Sequence, residues 1–121
     1  MKVLIELKDK DIGLKSRKVA KWRERKAVRC ILKCNDKIAL LHVQKHKYHK
    51  LPGGGINDGE TNEETLRREV AEEVGSQIQI GKLLGNIVEY KSHLNEHQIS
   101  TCFLAAETKK GTPNYTKSEV N

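Results

Sequence analysis

Apolar and charged residues alternate at the start of the chain, where Val3 to Leu7 carry the pattern of a short edge strand. A polar stretch containing Gly13 follows. Ala27 to Cys34 is rich in β-branched and apolar residues, Asn35-Asp36-Lys37 interrupts it, and Ile38 to Val43 resumes it, which predicts a hairpin. Gln44 to Lys50 is a polar loop that leads into Leu51-Pro52-Gly53-Gly54-Gly55, a second loop suited to close approach to a ligand. Thr61 and Glu64 have capping-box spacing, so a helix is expected to begin near Asn62. Leu66, Val70 and Val74 form its apolar stripe, and Gly75 stands where a left-handed C-terminal cap belongs. Ile78 to Ile80, Leu83 to Tyr90 and Ile99 to Ala106 read as three further strands, with Phe103 and Leu104 in the core. The tail from Thr108 to Asn121 is polar and weakly patterned.

Length and composition narrow this picture. A chain of 121 residues suffices for one modest core, so residues 1–121 are read as a single domain with one site. No apolar run is long enough to cross a bilayer and the first residues lack a signal-peptide core, so a cytoplasmic protein without a membrane partner is expected. Cys30, Cys34 and Cys102 are then reduced thiols, best accounted for as core residues. The net charge of +7 draws anionic partners, whether polyphosphate, nucleic acid or acidic membrane. At 4% aromatic content, few rings remain for stacking bases, which counts against an RNA-binding module. Seven of the twelve residues from Lys15 to Lys26 are Lys or Arg, read first as a solvated face with one packed Trp22 and second as a phosphate-steering patch.

The candidate chemistry lies on the helix. Glu69, Glu72 and Glu73, three and four residues apart, project to neighbouring positions beside the apolar stripe. An isolated run of this kind is ordinarily a solvated acidic face, but the glycine loop upstream offers backbone carbonyls beside the carboxylates, and Mg²⁺ prefers such hard oxygen ligands. The spacing is also specific. Gly54, Glu60, Arg68, Glu69, Glu72, Glu73 and Gly75 fill the seven fixed positions of a pattern over residues 54–76 that resembles the Nudix box, and Val70 fills its first aliphatic position. Ser76 departs from the pattern where an aliphatic residue is usual, and a local repacking with Ile78 is expected to compensate.

The resemblance implies an α/β/α sandwich around a mixed β-sheet. Such domains usually continue with another strand and helix past the point corresponding to Asn121, so a C-terminally short domain is expected, and uncovered apolar surface would favour a homodimer. It further implies Mg²⁺-dependent hydrolysis of a pyrophosphate bond in a nucleotide-type substrate, with Mn²⁺ as the substitute metal. By length the chain looks like the MutT-type nucleotide-cleaning branch. On the same resemblance Glu69, Glu72 and Glu73 are the catalytic carboxylates and metal ligands, with the carbonyl of Gly53 as a backbone ligand. Arg68 stands beside them and pairs with Glu60 to hold loop to helix, while Gly54 and Gly75 are structural. The general base is one of Glu72, Glu96 and Glu119.

Two readings of other classes stand beside the enzyme: a Nudix-fold module that binds a nucleotide without cleaving it, and a basic nucleic-acid-binding protein using Lys15 to Lys26. His42, His46 and His49 suggest zinc only weakly, since no further ligand stands at a recognisable spacing. Tyr48, near the glycine loop, reads equally as a substrate contact or as a surface tyrosine.

Overall fold

A computed structural model of the chain describes residues 2–8, 21–43, 48–91 and 94–111. Its elements in order are β1 (Val3–Leu7), β2 (Arg23–Cys34), β3 (Lys37–Ala39), β4 (Leu41–Val43), β5 (Tyr48–Lys50), β6 (Gly53–Gly55), α1 (Asn62–Glu73), β7 (Gln77–Lys91) and β8 (Glu96–Lys109). Six strands form a mixed sheet in the order β1-β7-β8-β2-β3, with β6 also paired to β2, while β4 and β5 form a separate antiparallel pair. β1 runs parallel to β7, and β8 runs antiparallel to β7 but parallel to β2. β2 is thus the rail of the fold: β8 lies along one flank, and β6 and β3 share the other.

Period-two burial explains β2. Val28, Cys30 and Leu32 are fully buried and point at α1, whose Leu66 and Val70 are buried to the same degree, with Ile78 and Ala105 closing the cluster. Fully burying a Leu or Val side chain is worth roughly 1.5–3 kcal/mol, so this interlock fixes the helix against the sheet. The same helix also buries Glu69 and Glu73, which its apolar stripe does not explain. A carboxylate is buried only with partners, and these mark the site.

Several elements differ from the sequence-based expectation. The glycine run is a short strand, because its backbone pairs antiparallel with Ala27 to Arg29. β2 begins at Arg23, so the end of the basic stretch is strand, and residues 15–20 lie outside the described region. The two segments from Ile78 to Tyr90 merge into one strand, with register shifts between Ile80 and Leu83, where Gly81 falls, and between Leu83 and Gly85. The run from Ile38 to Val43 divides between β3 and β4. Leu104 is 41% exposed and Trp22 38% exposed, so neither belongs to the core; Trp22 meets Tyr90 edge-on instead. Ser76 is buried and its hydroxyl donates to Glu107, while Ile78 enters the core. Cys30, Cys34 and Cys102 are free thiols. Among the described residues no helix is long and apolar enough to cross a membrane.

Candidate active site

Capping sets the phase of α1. The Thr61 hydroxyl accepts from the Glu64 backbone N–H (3.1 Å), the Glu64 carboxylate accepts from the Thr61 N–H (3.0 Å), and Gly75, at φ 81°, donates to the carbonyls of Val70 and Ala71. So fixed, the helix leans its carboxylates onto β6. The Glu73 Oε1 atom accepts from the Gly53 N–H at 2.9 Å, and Glu69 lies over Gly54 so closely that a Cβ there would sit 2.6 Å from its carboxyl carbon. Gly53 itself has φ 137°, and a Cβ would stand 2.0 Å from the Val28 carbonyl oxygen. Each glycine is therefore required by contact on its own side.

Arg68 stands at the centre of the charge arrangement. Its guanidinium forks onto Glu60 with two bonds of 2.9 Å, donates to Glu69 at 3.0 Å and approaches Glu72 at 3.5 Å. Glu60 accepts in addition from the Asn57 N–H (3.1 Å) and the Thr65 hydroxyl (3.0 Å). Arg68 first, then these bonds, hold the Glu60 carboxyl down at about 2. The expected loop-to-helix clasp is present, and the neighbouring carboxylates extend it.

Glu73 is set differently. Burial pushes its carboxyl up to about 7, partly offset by the Gly53 N–H and by Lys50, whose Nζ lies 3.7 Å from Oε2. The Gly53 carbonyl accepts from Arg29 Nη1 at 3.0 Å, and its second lone pair remains as acceptor capacity. Glu72 Oε2 is buried without a hydrogen-bond partner, the 3.5 Å approach of Arg68 being an ion pair only.

A cavity of about 660 Å³ opens beside these groups, and Arg25, Lys26, Gly55, Glu60 and Glu69 are among the residues that line it. Among the described residues no set of three His, Cys, Asp or Glu side chains converges as a metal cage. The carboxylates sit side by side along the helix.

The structure therefore brings Gly53, Gly54, Glu60, Arg68, Glu69, Glu72 and Glu73 together. Glu96 stands apart, at the start of β8, between Arg25 (3.9 Å) and Lys91 (3.8 Å), and Glu119 lies outside the described residues. The rings of His42 and His49 face each other across β4 and β5 at 4.9 Å, and His46 is outside the described residues, as is the side chain of Tyr48. Sequence reasoning counted Arg25 only as one of the basic residues from Lys15 to Lys26, and missed Arg29, Lys50 and Gln98. A charged residue inside an apolar strand, as at Arg29, was the available signal.

Comparison with known proteins agrees with this geometry. Residues 23–121 match the family described as NUDIX domain. The chain is similar to an RNA pyrophosphohydrolase of Blochmanniella pennsylvanica (strain BPEN), 38% identical over 66 residues, covering 52% of this chain and 41% of that protein, so the likeness spans under half the relative's length. Among solved structures it resembles a NUDIX-family hydrolase from Clostridium perfringens (25% identity, 76% of each chain covered, TM-score 0.64). It also resembles a MutT protein from Methanosarcina mazei Go1 (20% identity, 86% of this chain and 77% of that chain covered, TM-score 0.67). Their fold is the α/β/α arrangement expected, of which the described residues supply the mixed sheet and one helix. With the family match spanning most of the chain and the seven motif positions gathered on one glycine strand, loop and helix, the protein belongs to the Nudix hydrolase family.

Proposed function

We propose that the protein hydrolyses a pyrophosphate bond in a nucleotide-linked substrate with the help of a divalent cation, Mg²⁺ first and Mn²⁺ as its substitute. The observation that carries this reading is the side-by-side seating of Glu69 and Glu73 on β6, next to a buried Glu72 oxygen that lacks a hydrogen-bond partner. A buried carboxylate oxygen of this kind is costly unless something satisfies it, and a hard cation does so. The donor set of carboxylates and a backbone carbonyl fits magnesium.

Glu69 and Glu73 are the principal ligands, with Glu72 and the Gly53 carbonyl completing the protein's share. The cation, when bound, supplies charge neutralisation at the phosphates and acidifies water. Arg68 and Glu60 hold the loop against the helix. Glu72 or Glu119 takes the water's proton, and Glu96, already engaged with Arg25 and Lys91, is the weaker candidate.

The substrate class is a nucleoside 5′-polyphosphate. A second reading, in which that polyphosphate is the 5′ end of an RNA, draws support from the relative named RNA pyrophosphohydrolase and from the net charge of +7. The test is phosphate or pyrophosphate release from nucleoside triphosphates, nucleotide sugars, dinucleoside polyphosphates and 5′-triphosphorylated RNA, with and without Mg²⁺. Wild type is compared with Glu69→Gln and Glu73→Gln. Metal-dependent release lost in both variants is the expected result. Full activity in both removes the proposed site, and a folded wild type inert towards every compound favours the binding module.

A further inference from the structure

Arg25, one of the residues that line the cavity, rests on a buried polar scaffold. Gln98 on β8 is fully buried, and a buried amide is retained only with its bonds made. Its Oε1 accepts from Arg25 Nη1 at 2.8 Å and from Lys91 Nζ at 3.1 Å, while its Nε2 donates to the buried Ser100 hydroxyl at 3.1 Å. Glu96 approaches both Arg25 and Lys91 from the same strand. The parallel register places Arg25 directly opposite Gln98. The guanidinium that this scaffold holds lies on Gly55: a Cβ there would stand 2.7 Å from Nη2, 3.2 Å from Nε and 3.3 Å from Cζ. Arg25, Gly55 and Glu69 line one cavity.

We propose that Arg25, seated on Gly55 and anchored by Gln98, grips a phosphate of the substrate in the cavity that Glu69 also lines. A guanidinium has five N–H donors, and the bond to Gln98 with the longer approach to Glu96 occupies only part of that capacity. Its planar fork matches phosphate oxygens, which a lysine cannot reproduce. The division of labour is then chemical: carboxylates for the cation and a held guanidinium for a phosphate. Gln98 is a positioning residue, acting only through Arg25. This inference rests on the pyrophosphate-hydrolase reading for its substrate, but phosphate binding can be tested without turnover.

The probe is inorganic pyrophosphate, titrated calorimetrically into wild type, Arg25→Ala, Arg25→Lys, Gly55→Ala and Glu69→Gln, in EDTA and in Mg²⁺, with melting curves to verify folding. Lys33→Ala, a charge removed eight residues farther along the same strand, controls for net charge. Loss of a charge-assisted phosphate contact should weaken binding about tenfold or more in Arg25→Ala, with partial recovery in Arg25→Lys. Gly55 has no positive φ and its Cβ would meet only the mobile end of Arg25, so Gly55→Ala should fold, displace the guanidinium and weaken binding with Arg25 still present. With the substrate found by the release panel, Arg25→Ala should raise KM more than it lowers kcat.

Pyrophosphate affinity and KM within about twofold of wild type in Arg25→Ala, or a loss matched by Lys33→Ala, would overturn the proposal. So would a wild type that does not bind pyrophosphate. If Arg25→Ala loses binding while no substrate is hydrolysed by wild type, the phosphate grip stands and the hydrolase reading falls; if Glu69→Gln abolishes turnover and Arg25→Ala changes nothing, the reverse holds.

Discussion

Replacing Glu73 by Gln should stabilise the metal-free protein at alkaline pH while abolishing its metal response. The Glu73 side chain is only 3% exposed, and burial raises its carboxyl from 4.5 to about 7. A raised folded-state value means that the group's contribution to stability is complete below 4.5 and is lost as pH rises through about 7. The whole shift corresponds to roughly 3 kcal/mol, or on the order of 10 °C in melting temperature for a chain of this size. Gln keeps an oxygen to accept from the Gly53 N–H, loses the attraction of Lys50, and has no charge to desolvate. Melting curves in EDTA from about pH 5 to about pH 8.5 should therefore show the wild type falling relative to Glu73→Gln, with the two meeting near the acid end. Because every other titrating group is common to both, their difference isolates this carboxyl. Adding Mg²⁺ at the alkaline end should restore the wild type and leave the variant where it was. A variant that melts at or below wild type at about pH 8.5 without metal would refute the reasoning, since it would mean the buried charge is already well compensated.

Four further outcomes follow from contacts already described. Glu60→Gln should lower the melting temperature at neutral pH, and the gap should close as pH falls through about 2, because a depressed carboxyl stabilises above 4.5 and loses that effect on protonation. A constant gap across that range would speak against the Arg68 clasp. Gly54→Ala should fold but lose metal-dependent turnover at least tenfold, since its Cβ meets only the Glu69 carboxylate, whereas Gly53→Ala should cost more than about 4 kcal/mol in a denaturant titration, since its Cβ meets the Val28 backbone at positive φ. Ser76→Val, which restores the usual aliphatic residue of the motif, should destabilise by about 1–2 kcal/mol, because it removes the buried hydroxyl bonded to Glu107.

Local signals carried the carboxylate half of the candidate site into view. Capping spacing, the Leu66–Val70 stripe and the seven motif positions all lie within one short stretch, so the helix, its start and the clustering of Glu60, Arg68 and the three glutamates could be read in order along the chain. What could not be read depends on strand register. Arg25 and Gln98 are 73 residues apart, and only the parallel alignment of β2 and β8 brings them together. The glycine run misled for a different reason: glycine has poor intrinsic strand preference, and its pairing comes from the exposed flank of β2. Leu104 looked internal beside Phe103, yet it is exposed, because it falls on the face of β8 opposite to Phe103, which packs against the core.

The place of β2 also bears on the order in which the protein assembles. By Gly75 the growing chain has every residue of the motif, yet β2 has only β3 and β6 beside it, and its other flank waits for residues 96–109. Pairing two parallel strands across such a distance demands closure of a long loop before any contact rewards it, which makes folding slow. Until β8 docks, Cys30 and Leu32 lack the neighbours Phe103 and Ala105 that complete the core. A nascent chain released before that point would carry the complete glutamate motif and an open sheet edge together, a form suited to aggregation rather than to binding phosphate.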